Sequence, residues 1–125
     1  MKILLVDDDP LQAFVRKSIL EKRFADVLRV AGAAEALRLV EQPQFAGNLG
    51  LVVSGHRLAD IGVPAFVAEL RIRMPSLPVL VLGASEEVHC AYSGEGVRFL
   101  PRPFVAEQIL ALASQMLLQN EPKPA

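Results

Sequence analysis

The chain has 125 residues, 52% hydrophobic and 22% charged, which fits one globular domain able to bury a core without disulfides or a structural metal. Thirteen basic residues against fourteen acidic ones leave a formal charge of -1 with no polybasic tract, so neither nucleic-acid nor membrane-surface binding is expected. The lone cysteine, Cys90, excludes an intramolecular disulfide; with no apolar run near the roughly 20 residues that span a bilayer and no secretory signal pattern, a cytoplasmic location is expected.

In chain order, residues 3–6 are a continuous apolar run ended by Asp7, Asp8, Asp9 and Pro10. That pattern suits a strand buried on both faces, then a loop opening a helix with proline in its first turn. Leu11, Phe14, Val15, Ile19 and Leu20 recur at steps of three and four, with Arg16, Lys17, Glu21 and Lys22 between them. The spacing predicts an amphipathic helix over 10–22 with that apolar stripe turned to the core. A short strand follows at 27–30, and Ala34, Ala36, Leu37, Leu39 and Val40 mark a second helix that must end before Pro43.

Residues 49–54 form a second apolar run, 64–74 a third helix with Phe66, Val67, Leu70 and Met74 on one side, and 78–82 a third apolar run. A short helix is expected over 86–93, a final strand over 97–100, and a closing helix over 105–118 with Ile109, Leu110, Leu112, Ala113, Met116 and Leu117 turned inward. Apolar strands alternating strictly with helices imply a doubly wound α/β fold, its parallel sheet covered on both faces by right-handed crossovers. One domain over 1–119 and a polar tail over 120–125 complete the reading.

In an open α/β sheet, the loops at the carboxyl ends of the strands form the reactive crevice, and Asp7, Asp8 and Asp9 sit just past the first strand. Two carboxylates about 4 Å apart repel by roughly 4 kcal/mol at an effective dielectric near 20, which favours a bound divalent cation, a basic neighbour or a raised pKa. The plainer alternative is that these acids cap the first helix. His56, His89 and Cys90 lack a metal-ligand spacing. Ser54, His56 and Asp60 lack the nucleophile elbow of a hydrolase, and Gly94-Glu95-Gly96 opens no phosphate cradle.

Four segments, ILLVDDDPLQ, LVVSGHRLADIG, PSLPVLVLGAS and FLPRPF, in this order and spacing, resemble the receiver domain of two-component response regulators across almost the whole chain. The resemblance implies a flavodoxin-like (βα)5 fold, a five-stranded parallel sheet of order 2-1-3-4-5. It also implies an acid pair, Asp7 and Asp8, that helps bind Mg2+, with Asp8 the more direct ligand. An aspartate ending the third strand would accept phosphate, a Thr or Ser would end the fourth, and a lysine would precede the proline after the fifth. Phe99 matches the aromatic switch position, Pro103-Phe104 matches the segment opening the last helix, and a cis peptide is implied before Pro103.

The departures fall on the chemistry. Gly55 stands at the phosphoacceptor position, Gly83 at the hydroxyl position and Arg102 at the lysine position. Glycine offers no nucleophile, and Mg2+ loses a carboxylate ligand. Ser54 would reach the acceptor site only by a one-residue slip, which turns a side chain to the other face of the sheet. Arg102 is expected to pair with Asp7 or Asp8 where the family uses metal and lysine, the alternative being a solvated arginine beside two prolines. The stretch 83–102 is about three residues shorter than in such domains, close to one helical turn, which weakens the surface that the family commonly uses for dimers and partners.

The expected function is a phosphorylation-independent receiver module, not an enzyme, that binds a protein partner in two-component signalling. No cofactor is expected, and any Mg2+ site at Asp8 is a weakened one. Two alternatives stay open: phosphorylation at an atypical residue, and a small-ligand or anion sensor that uses the crevice emptied at Gly55 and Gly83.

Overall fold

Residues 1–83 and 96–120 are described by the computed structural model. Among them run β1 (Lys2–Val6), α1 (Pro10–Glu21), β2 (Val27–Val30), α2 (Ala33–Val40), α3 (Pro43–Asn48), β3 (Leu49–Gly55), α4 (Val63–Arg73), β4 (Val79–Leu82), β5 (Val97–Leu100) and α5 (Ala106–Asn120). The five strands form one sheet of order β2-β1-β3-β4-β5, parallel throughout, as the resemblance implied. The helix expected over 86–93, with His89 and Cys90, lies outside the described residues, as does the tail from 121 onward.

Alternation along the central strands sorts the core onto two faces. Leu4, Val6, Val52, Val79 and Val81 pack with Ala36, Val40, Phe66 and Leu70, so α2 and α4 cover one face. Ile3, Leu5, Leu51, Val53, Leu80 and Leu82 pack with Leu20, Ile109, Ala113 and Met116, so α1 and α5 cover the other. The strand residues named are fully buried, which is why these strands read as unbroken apolar runs.

Two local readings are corrected. Leu11 and Phe14 are 74% and 69% exposed, and Val15 is exposed too; the buried residues of α1 are Ala13, Arg16 and Leu20. The stripe at 11, 14 and 15 was the more hydrophobic one, but the face at 13, 16 and 20 packs closely on the sheet because alanine leaves room and arginine finds a buried partner. Second, Pro43 opens the short helix α3 instead of leading directly to β3. Proline ends the preceding helix and is pre-organised to start another at its first position.

Candidate functional site

The same alternation places the crevice residues. Asp7 continues the parity of Ile3 and Leu5, and Gly55 that of Leu51 and Val53, so both turn to the face covered by α1. β1 and β3 are neighbours with Val6 opposite Ser54, which brings Asp7 beside Gly55. A Cβ at position 55 would lie 3.9 Å from Asp7 Cγ and 3.4 Å from Arg16 Nη1.

Arg16 is the cation of the site. Its Nη1 lies 3.0 Å from Asp7 Oδ2, and the two residues are only 4% and 1% exposed. Burial pulls the Arg16 guanidinium below its ordinary pKa and Asp7 pushes it back up; an arginine remains charged at neutral pH in either case. The guanidinium carbon also stands 5.9 Å over the Phe104 ring, within cation–π range. Arg29, at the end of β2, donates to the Asp7 backbone carbonyl from Nε at 3.1 Å and Nη2 at 2.7 Å.

Each of the three aspartates has its own partner. Asp7 holds Arg16 and accepts from the Asp9 amide at 3.0 Å through its other oxygen. Asp8 accepts from the Ala59 amide at 2.9 Å, tying the β1–α1 loop to the β3–α4 loop. Asp9 is the N-cap of α1, its Oδ1 accepting from Leu11 and Gln12 at 3.0 and 3.1 Å. The capping alternative therefore describes Asp9, while Asp7 and Asp8 have other contacts.

Arg102 does not take the place expected of it: among the described residues no ion pair within 4.0 Å joins it to Asp7 or Asp8. It is exposed, while Arg16 reaches Asp7 from the buried face of α1. The peptide between Arg102 and Pro103 is cis, and Gly83 has a positive φ of 84°. A Cβ at Gly83 would come within 2.9 Å of His56 Nδ1 and 3.7 Å of Arg102 Cδ. Backbone conformation and the His56 ring thus both require glycine there. Phe99 is partly buried against the α2 and α4 face.

Ser54 is fully buried, and its hydroxyl donates to the Gly55 carbonyl at 2.8 Å. Asp60, on the same loop as His56, caps α2 from a distance. Its carboxylate accepts from Ala33 at 3.1 Å, Ala34 at 2.9 Å and Ile61 at 3.0 Å, chiefly the Ala34 bond holding its pKa below the ordinary carboxylate value. α2 starts at Gly32, which has no capping side chain, and a Cβ at Gly32 would lie 2.8 Å from Asp60 Oδ2. Glycine admits the cap.

Sequence reasoning missed Arg16, Arg29 and Asp60 as members of the site. The signal for Arg16 was its place three after Ala13 and four before Leu20, on the small-residue face of α1. For Asp60 the signal was Gly32, a helix start lacking its own capping side chain.

The donor set does not fit a divalent cation of the kind that receiver domains usually bind. Asp7 is paired with a guanidinium and position 55 supplies no oxygen from a side chain, which leaves Asp8, one of whose carboxylate oxygens accepts from the Ala59 amide, as the one acid of the pair open to a cation, whereas Mg2+ requires near-octahedral oxygen ligation. Among the described residues no group of three or more His, Cys, Asp or Glu is placed to hold a metal. Nor is any described helix long and apolar enough to cross a membrane.

No family model matches the chain. It is 32% identical to the transcriptional regulatory protein BasR of Escherichia coli (strain K12), over 96% of this chain and 54% of that protein, so it spans about half the length of the curated relative it matches. The receiver domain of the hybrid histidine kinase CckA is 27% identical, with a TM-score of 0.76 over 94% of this chain and 99% of that one. A response regulator receiver protein from Sinorhizobium medicae WSM419 superposes with a TM-score of 0.83 over 97% of both chains at 22% identity, a likeness of fold. The parallel sheet of order 2-1-3-4-5, the acid-bearing loop after β1 and these similarities agree: the chain is a receiver domain of the response-regulator type.

Proposed function

We propose that this receiver domain acts in two-component signal transduction without being phosphorylated, as a module that binds another signalling protein. The observation that carries this reading is Gly55 at the pocket-facing end of β3, beside an Asp7 already paired with Arg16. Acyl-phosphate formation needs a side-chain carboxylate as nucleophile and a cation to gather the phosphoryl oxygens. Position 55 offers no carboxylate, and the acid that would help hold the cation is occupied by a guanidinium. In this reading Asp7, Asp8, Gly55, Gly83, Phe99, Arg102 and Pro103 are the remnant of the phosphoryl pocket, with Asp8 at most a weak Mg2+ ligand.

An atypical acceptor finds little support. Ser54 is fully buried on the opposite parity, with its hydroxyl donated to a backbone carbonyl. The partner class, a protein, is favoured by the near-neutral charge of the chain and by the apolar side chains that α1 leaves exposed. The relative named a transcriptional regulatory protein and the structure taken from a hybrid histidine kinase make a signalling protein the class to search.

The test is intact mass after incubation with acetyl phosphate and Mg2+, with an ordinary receiver as positive control. The control should gain a phosphoryl group and this chain should not. A phosphoryl adduct on this chain overturns the reading, and its position names the acceptor.

A further inference from the structure

α1 turns its more hydrophobic stripe to solvent. Leu11, Phe14 and Val15 are exposed, while the opposite face, at Ala13, Arg16 and Leu20, packs on the sheet. With about 3.6 residues per turn, Leu11, Phe14, Val15, Ser18 and Lys22 share the outward side of the helix, and Ser18 and Lys22 are exposed as well. The two ends of this seam carry opposite charge. Asp8 and Asp9 are exposed where α1 begins, and Lys22 and Arg23 are exposed where it ends. Among the described residues no carboxylate lies within 4.0 Å of Lys22 or Arg23. The charged residues between these ends are taken: Lys17 holds Glu21 at 3.1 Å on the flank, and Arg16 is buried against Asp7.

Such a seam is complementary to itself when reversed. A second α1 laid end for end sets its basic end on the acidic end of the first, and the same contact recurs at the other end by symmetry. Leu11 of each copy then faces Ser18 of the other, a small residue that lets the helices approach, and Phe14 faces Val15. Opposed helix dipoles favour the same direction. A parallel pair would stack like charges at both ends, and an unlike partner of uniform charge would be repelled at one of them.

We propose that α1 is a self-association face, through which two copies of this chain pair by antiparallel α1 helices about a twofold axis at Phe14 and Val15. Three apolar side chains per copy make a small interface of the kind that holds weak complexes, so the dimer population rises with concentration. The pairing does not depend on the chemistry at position 55.

The experiment is sedimentation equilibrium of the full chain from micromolar to millimolar concentration. The average mass should climb from one chain toward two and no further, and added salt should lower it. Phe14→Ser and Lys22→Glu should each raise the dissociation constant by about 10-fold, on the order of 1.4 kcal/mol. Ile72→Ser, on the equally exposed side chain of α4, should leave it unchanged. Direction is read by oxidising a mixture of Leu11→Cys and Ser18→Cys chains, both also carrying Cys90→Ser. The mixed disulfide should exceed either like-with-like product by intact mass. A parent chain that stays monomeric at millimolar concentration leaves α1 to an unlike partner and overturns the proposal. So does a dimer unmoved by both α1 variants, one weakened equally by Ile72→Ser, or an excess of like-with-like disulfides.

Discussion

Arg16 Nη1 stands 3.0 Å from Asp7 Oδ2, and the same nitrogen would lie 3.4 Å from a Cβ at position 55. One buried guanidinium therefore neutralises the first acid of the crevice and borders the place where a nucleophile would project. Removing one partner of a buried pair strands the other charge, whereas removing both is far better tolerated. Arg16→Met should therefore destabilise the domain by about 3–5 kcal/mol, and Asp7→Asn combined with Arg16→Met should recover much of that loss. Urea unfolding of the two single variants and the double variant checks this. An Arg16→Met chain within about 1 kcal/mol of the parent would mean that the pair is not buried as described.

The two crevice glycines should respond differently to alanine. At Gly55 the added methyl would meet Arg16 at 3.4 Å with φ outside the left-handed region, so Gly55→Ala should change stability by less than about 1 kcal/mol, helped by a less flexible unfolded chain. At Gly83 the methyl would meet His56 at 2.9 Å on a backbone with φ 84°, so Gly83→Ala should cost about 1–3 kcal/mol. Thermal unfolding of both variants measures the contrast. Equal effects would mean that the His56 ring does not sit against Gly83.

Asp60 gives a pH dependence whose sign follows from its hydrogen bonds. The Ala34, Ala33 and Ile61 amides favour the charged carboxylate, so its folded pKa lies below the ordinary 3.8. The unfolded chain then binds the proton more readily, and the stabilisation is complete above that ordinary value and lost as the pH falls through the folded pKa. Asp60→Ala should cost about 0.5–2 kcal/mol at neutral pH, the usual range for a lost helix cap. Stability curves from neutral to acid pH should converge for the parent and the variant as the carboxylate protonates. A gap that stays constant into strong acid would show that the caps do not depend on its charge.

The strands were legible in the sequence because a parallel sheet covered on both faces leaves little room for polar residues; residues 27–30 and 97–100 were read to the residue, and each of the other three differs by one residue at one end. The crevice was legible only by position. Asp7 and Gly55 meet because their strands are neighbours, which the family resemblance implied, and because their parities agree, which follows from the alternation along a strand. Which cation reaches Asp7 depended on the face of α1 turned inward, and hydrophobicity pointed to the wrong one. The residue that matters there, Arg16, is a charged side chain that a hydrophobic pattern assigns to solvent. Asp60 was missed for a related reason: its partner is a helix start 27 residues away in sequence, a distance at which local capping patterns carry no signal.

The inverted polarity of α1 makes its own prediction. Leu11 and Phe14 project from the helix at 74% and 69% exposure, whereas Leu20 is wholly buried in the core shared with α5. Leu11→Ser and Phe14→Ser should each shift stability by no more than about 0.5 kcal/mol, the range for surface sites without special contacts. Leu20→Ala should cost about 2–5 kcal/mol, because it removes buried methyl groups and leaves a cavity that close packing fills only in part. Urea midpoints of the three variants decide between the two faces. If Phe14→Ser were as damaging as Leu20→Ala, the helix would be rotated toward the more hydrophobic stripe, and Arg16 would no longer be directed at Asp7. The stability of a surface serine thus tests the orientation on which the buried ion pair depends.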